Sequence, residues 1–157
     1  MPKITPENTV LIQKTLSQNR RFRKITQKIA GQVALEHGIT YTQFLALQTL
    51  NHQPNIDLNQ LAQALHLSKS STSGIVERLL HNALLAKTKQ AADQRKVALC
   101  LTEKGQAITQ AVHTNFYDCL APITTLSTSE LQQFINLQEK IIQNFEEAAH
   151  ERQTSGS

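Results

Sequence analysis

The segment DLNQLAQALHLSKSSTSGIVERLL, residues 57–80, decides the fold. Asp57, followed three places later by Gln60, is a capping box that opens a short helix with Leu58, Leu61, Ala62 and Leu65 on its inner side. After the tight His66-Leu67 turn, Ser68 caps a second helix, whose apolar residues are Ile75, Val76, Leu79 and Leu80. Two short helices joined this closely are a helix-turn-helix. The second helix starts with Ser68, Lys69, Ser70, Ser71, Thr72, Ser73 and Gly74, an unbroken run of small or basic residues. Small hydrogen-bonding side chains let a helix approach phosphates and base edges, and the helix N-terminus attracts negative charge. In isolation the run is a solvated serine-rich helix start. Its place as the second helix of the pair makes it a candidate major-groove reader, with Arg78 one helical stretch further on.

Downstream the period changes from helical to alternating. Leu85, Lys87 and Lys89, then Val97, Leu99 and Leu101, flank the polar stretch 90–96 and predict a two-stranded hairpin with an extended tip. Lys87, Lys89, Arg95 and Lys96 make it basic, and an arginine on a thin projecting loop fits a minor groove. Asp93 sits two places before Arg95, where a carboxylate can hold a guanidinium in one orientation. The plain alternative is a weak surface ion pair.

Upstream, Thr40 and Gln43 form another capping box, for a helix carrying Phe44, Leu47 and Leu50 that ends before Pro54. Thr5-Pro6-Glu7 opens a long first helix with Val10, Leu11, Leu16, Phe22, Ile25, Ile29 and Val33 along one stripe, stopped at Gly38. Thr102 begins a further helix through Ile108, Val112, Phe116 and Leu120, and Ser127 with Glu130 opens the last, with Phe134, Ile135, Ile141, Ile142 and Phe145. The expected fold is mainly α with a small β-hairpin wing: a winged helix-turn-helix lobe over 40–102, flanked by dimerisation helices at 5–37 and 103–149, with a flexible polar tail at 150–157.

Composition narrows the function classes. The chain has 157 residues and a net charge of +4, which favours an anionic partner. No apolar run approaches a membrane span or a signal peptide, so no membrane partner is expected. Cys100 and Cys119 show no paired spacing, and the histidines, His37, His52, His66, His81, His113 and His150, show no ligand spacing. Neither a disulfide framework, a metal nor another cofactor is expected, and a reducing cytoplasm fits. Both thiols are expected to be buried and inert. With no Gly-rich phosphate loop, nucleophile elbow or HExxH, no catalytic residues and no enzyme activity are expected.

The wing carries a more specific signal. Asp93-Gln94-Arg95 followed by Leu101-Thr102-Glu103-Lys104-Gly105 resembles the D-x-R wing signature and the L-T-x-x-G helix opening of the MarR family of bacterial transcriptional regulators. Leu61-Ala62 through Ser68, and Val76-Glu77-Arg78-Leu79, resemble that family's helix-turn-helix. The resemblance implies a homodimer that binds double-stranded DNA at a palindromic operator, most simply as a repressor. It assigns Arg95 to the minor groove, Asp93 to orienting it, and Ser68 to Ser73 with Arg78 to groove and backbone contacts. One departure is visible: Ala83, preceded by Asn82, stands where the family usually has glycine.

Members of the family it resembles commonly release DNA when a small aromatic or lipophilic acid, an oxidant or a metal acts near the junction of the dimer and DNA-binding regions. Tyr41, Phe44, His113, Phe116 and Tyr117 combine apolar walls with polar tips and are the candidate effector pocket, with core packing as the alternative. Arg20, Arg21, Arg23 and Lys24 form a basic cluster suited to an anionic effector, to DNA or simply to a solvated helix face. Two other readings compete with this one: a regulator released by thiol oxidation, and a winged-helix module that binds protein rather than DNA.

Overall fold

The computed structural model describes residues 5–89 and 97–154. The chain divides after Cys119 into two units. The first contains α1 (Pro6–Glu36), α2 (Tyr41–His52), α3 (Leu58–Leu65), α4 (Lys69–His81), β1 (Leu85–Lys89), β2 (Val97–Leu101) and α5 (Glu103–Cys119). The second contains a 3-10 turn (Ala121–Thr125) and α6 (Thr128–Thr154).

In the first unit the capping boxes of Thr40 with Gln43 and Asp57 with Gln60 are both closed by reciprocal hydrogen bonds. They fix the starts of α2 and α3. β1 and β2 pair antiparallel from Leu85↔Leu101 to Lys89↔Val97. The amide of Leu99 also donates to the carbonyl of Ile56 at 2.9 Å, which ties the approach to α3 onto the free edge of the hairpin. The core under these elements is built from Phe44, Leu47, Leu50, Leu61, Val76, Leu79, Leu84, Leu99 and Val112. Each fully buried leucine contributes about 1.5–3 kcal/mol relative to an exposed one.

Three helices of this unit end in the same left-handed turn, each made by a different residue: Gly38 (φ 76°) after α1, His66 (φ 53°) after α3, and Ala83 (φ 55°) after α4. In each, the amide beyond the turn reaches back five residues: Ile39 to Ala34 at 3.0 Å, Leu67 to Ala62 at 3.0 Å and Leu84 to Leu79 at 2.8 Å. The turn at His66 brings Ser68 into place as the cap of α4, so the helix-turn-helix angle depends on a histidine in a conformation that L-residues adopt at a cost.

The apolar stripe of α1 is covered over only part of its length. Ala30, Val33 and Ala34 are buried, whereas Val10, Leu11, Leu16, Phe22 and Ile25 stand exposed, Leu11 at 56%. In the second unit, the amide and hydroxyl of Ser127 both donate to Glu130, at 2.8 and 2.7 Å. These bonds hold the Glu130 carboxyl below its ordinary pKa. Phe134, Ile135, Leu137, Ile142 and Phe145 of α6 are exposed. This helix continues to Thr154, so the tail expected from residue 150 is helical over 150–154. Ala148, Ala149, Glu151 and Arg152 are ordinary helix formers, and no glycine or proline precedes Gly156 to stop them.

Candidate nucleic-acid interface

Helix α4 presents two faces. Thr72, Val76 and Leu79 are buried, and Lys69, Ser70, Ser71, Glu77 and Arg78 are exposed, with Gly74 half-buried between them. The spacing of 70, 74 and 77–78 places these residues along one row. Ser68 is the pivot of the first turn: its Oγ accepts from the Ser71 amide at 3.1 Å and donates to the Ser71 hydroxyl at 2.9 Å.

One of the expected contact residues faces elsewhere. Thr72 is wholly buried and its hydroxyl donates to the Ser68 carbonyl at 3.0 Å, so it is a core residue and is corrected out of the groove-facing set. Its phase explains this, because it lies four residues before Val76 and seven before Leu79, on the inward row. Ser73 is half-buried and donates to Glu77 Oε1 at 3.3 Å. Conversely, Glu77 belongs to the outward row, which hydroxyls and cations alone do not signal. Gly74, Glu77 and Arg78 line an open groove of about 500 Å³ together with Gln43, His81 and Asn82.

Lys87 and Lys89 are exposed and lie two apart on β1, hence on one face of the strand. Asp93, Arg95 and Lys96 lie outside the described residues. The base of the wing is locked by a short network. Thr102 Oγ1 donates to the Ala83 carbonyl at 2.7 Å and accepts from the Gly105 amide at 3.0 Å, which caps α5. Lys104 Nζ donates to the Asn82 carbonyl at 3.1 Å. Ala83 itself takes the left-handed conformation, and Asn82 remains at φ −81°. The missing glycine therefore leaves the turn's hydrogen bonding intact.

The five residues of the candidate effector pocket do come together. Tyr41, Phe44, His113, Phe116 and Tyr117 line one half-open cavity of about 130 Å³ between α1, α2 and α5, together with Thr26, Gln27, Ala30, Leu45 and Gln48. The His113 and Tyr117 rings lie 4.6 Å apart, and Phe116 meets Tyr117 edge-on at 5.7 Å. Phe44 serves both the cavity wall and the core.

Cys100 is half-buried, with Sγ 3.5 Å from the Ala86 carbonyl. Cys119 is exposed, against the expectation that it is buried. The buried positions of α5 are Gly105, Thr109 and Val112, and the helix runs well past them before it ends at Cys119. Among the described residues no group of three or more His, Cys, Asp or Glu is placed to hold a metal, and no helix is long and apolar enough to cross a membrane.

Residues 39–97 match the family model described as "MarR family". The chain is 26% identical over 125 residues to the HTH-type transcriptional regulator MgrA of Staphylococcus aureus, covering 80% of this chain and 84% of the relative. It is 29% identical over 111 residues to the homoprotocatechuate degradative operon repressor of Escherichia coli, covering 70% and 75%. Among solved structures, a MarR family transcription regulator superposes with a TM-score of 0.78 at 24% identity, over 91% of this chain and 95% of the other. Staphylococcus aureus MarR in complex with salicylate and kanamycin superposes with a TM-score of 0.75 at 19% identity, over 87% and 93%. These superpositions establish the winged-helix fold.

Proposed function

We propose that the chain, which is similar to MarR family transcription regulators, is a DNA-binding regulator of that family, and that it is a homodimeric repressor of a palindromic operator, released by a small aromatic or lipophilic acid. The observation that carries the DNA half of this reading is the outward row of α4. Ser70 and Ser71 are exposed beside the helix N-terminus and Arg78 is exposed in the last turn, while the opposite row is spent on the core. α4 enters the major groove, and its hydroxyls, Lys69 and Arg78 take phosphates and base edges. Lys87, Lys89 and Lys96 follow the backbone, with Arg95 in the minor groove oriented by Asp93.

Dimerisation is supported by the exposed apolar residues of each terminal helix: Leu11, Phe22 and Ile25 on α1, and Phe134, Ile142 and Phe145 on α6. Apolar surface of that extent marks an interface. Twofold symmetry then sets half-sites about one helical turn apart, roughly 34 Å.

For the effector, the support is the cavity of about 130 Å³ walled by five rings with polar tips or apolar faces. Arg23 stands on the α1 row of Gln27 and Ala30, which line that cavity, so its guanidinium suits a carboxylate at the mouth. One curated relative is named as an operon repressor, and one structural neighbour holds salicylate.

The deciding experiment is binding to the chain's own promoter and to scrambled DNA across a salt series. A dimer neutralising about 6–10 phosphates loses roughly a thousandfold or more in affinity between about 50 and 200 mM salt and keeps its preference for the promoter throughout. A salt-sensitive interaction with no preference for the promoter refutes the operator reading. Release by thiol oxidation is a second reading that rests on the exposure of Cys119. It is discarded if a Cys100→Ala, Cys119→Ala double variant keeps the oxidant response of the parent.

A further inference from the structure

Gly74 lies inside α4 on its outward side, and the fold itself makes no use of it. A β-carbon built there meets nothing within 4 Å, and the residue is not in a left-handed conformation. Glycine inside a helix costs stability relative to alanine, so a glycine with neither a packing nor a conformational role has its reason outside the chain. Gly105 makes the contrast, because there the backbone of Leu84 fills the space a β-carbon needs.

Three residues on, Glu77 breaks a second rule. It is an exposed acid on the face that meets polyanionic DNA, and among the described residues its carboxylate is held only by the Ser73 hydroxyl at 3.3 Å, on Oε1. That bond orients the carboxylate and leaves Oε2 open. Gly74, Glu77 and Arg78 line the same groove. An acid costs affinity for every phosphate near it, and it offsets that cost where it orients an arginine or accepts a hydrogen bond from a base; among the described residues Glu77 is bonded to a hydroxyl and not to a cation.

We infer that Gly74 and Glu77 are a specificity-determining pair. Gly74 lets one base-pair edge come up to the helix backbone, and Glu77 accepts a hydrogen bond from the exocyclic amino group of a cytosine in the neighbouring pair. Glu77 thereby lowers affinity for DNA in general and raises discrimination at one position of each half-site. The inference rests on the reading that α4 occupies the major groove.

The test compares the parent with Gly74→Ala, Glu77→Gln and Arg78→Ala by thermal melting and by binding, at one salt concentration, to the operator, to operators substituted at each half-site position, and to scrambled DNA. Gly74→Ala melts higher than the parent yet loses about tenfold or more in operator affinity, with scrambled DNA changed less than about threefold. Glu77→Gln binds scrambled DNA more tightly and loses about a tenfold preference for cytosine at one position. A Gly74→Ala variant that binds the operator as well as the parent overturns the inference. So does a Glu77→Gln variant with an unchanged base preference. If Arg78→Ala also leaves all binding unchanged, the major-groove reading of α4 fails. If Arg78→Ala weakens binding while the other two behave as the parent, only the pair is refuted.

Discussion

The carbonyl oxygen of Leu84 occupies the space in which a β-carbon on residue 105 would stand. Gly105 is thus the point where the N-terminus of α5 closes on the turn that leaves α4, and the Leu84 carbonyl also accepts from the Thr102 amide at 3.2 Å. Backbone on both sides means that the clash cannot be relieved by a side-chain rotation. Gly105→Ala is expected to destabilise the fold by about 3 kcal/mol, visible as a melting temperature lower by roughly 6–12 °C. A melting temperature within about 2 °C of the parent contradicts the packing described.

The neighbouring turn predicts the opposite sign. Ala83 holds φ at 55° to make the bonds from its own amide to Leu80 and from Leu84 to Leu79, both of which a glycine makes without opposing its β-carbon. Ala83→Gly therefore stabilises by about 1 kcal/mol, raising the melting temperature by roughly 2–4 °C, with operator affinity unchanged. A lower melting temperature would show that the entropy lost by glycine on folding outweighs the relieved strain.

Thr72 separates core from interface within one run of small residues. Thr72→Val removes the hydroxyl bond to Ser68 but fills the same buried volume, so it costs about 1 kcal/mol of stability and leaves DNA affinity within about twofold. Ser70→Ala and Arg78→Ala, on the outward row, lower operator affinity by roughly 5–10-fold and leave the melting temperature in place. Quantitative binding of the three variants to one operator fragment decides the matter. If Thr72→Val binds as poorly as Arg78→Ala, the side chain reaches DNA after all.

How far the sequence could be read follows from what each pattern encodes. Capping boxes at Thr40 and Asp57 specify local hydrogen bonds, so the helix starts were legible to the residue. The five cavity residues were legible because rings on α2 and α5 share a phase and their helices pack together. Thr72 shares its residue type with the groove-facing hydroxyls but its helical phase with Val76 and Leu79, and phase decides burial. The exposed half of α1 is different in kind: a stripe such as Leu11, Leu16, Phe22 and Ile25 encodes that something covers it, not what. Cys119 lies beyond the last buried turn of α5, a limit that depends on how long its neighbours are.

The cavity between α1, α2 and α5 makes the regulatory half of the proposal measurable without knowing the natural effector. Its volume of about 130 Å³ suits a single aromatic ring with a small substituent. Benzoate is expected to raise the melting temperature, because at free concentration c it stabilises the folded protein by RT ln(1 + c/Kd), which keeps growing with concentration and is about 2.7 kcal/mol at a hundred times its dissociation constant. Arg23→Ala should weaken benzoate and leave the neutral benzamide unaffected, because only the carboxylate gains from the guanidinium. Regulation adds a stricter demand. Whatever factor benzoate takes from operator affinity, the operator must take from benzoate affinity, since both measure one coupling free energy. Calorimetry with and without a saturating operator fragment tests this directly. Equal factors above about fivefold establish release through the cavity. If benzoate binds equally well to free and DNA-bound protein, the cavity is occupied without being heard by α4, and the signal enters elsewhere.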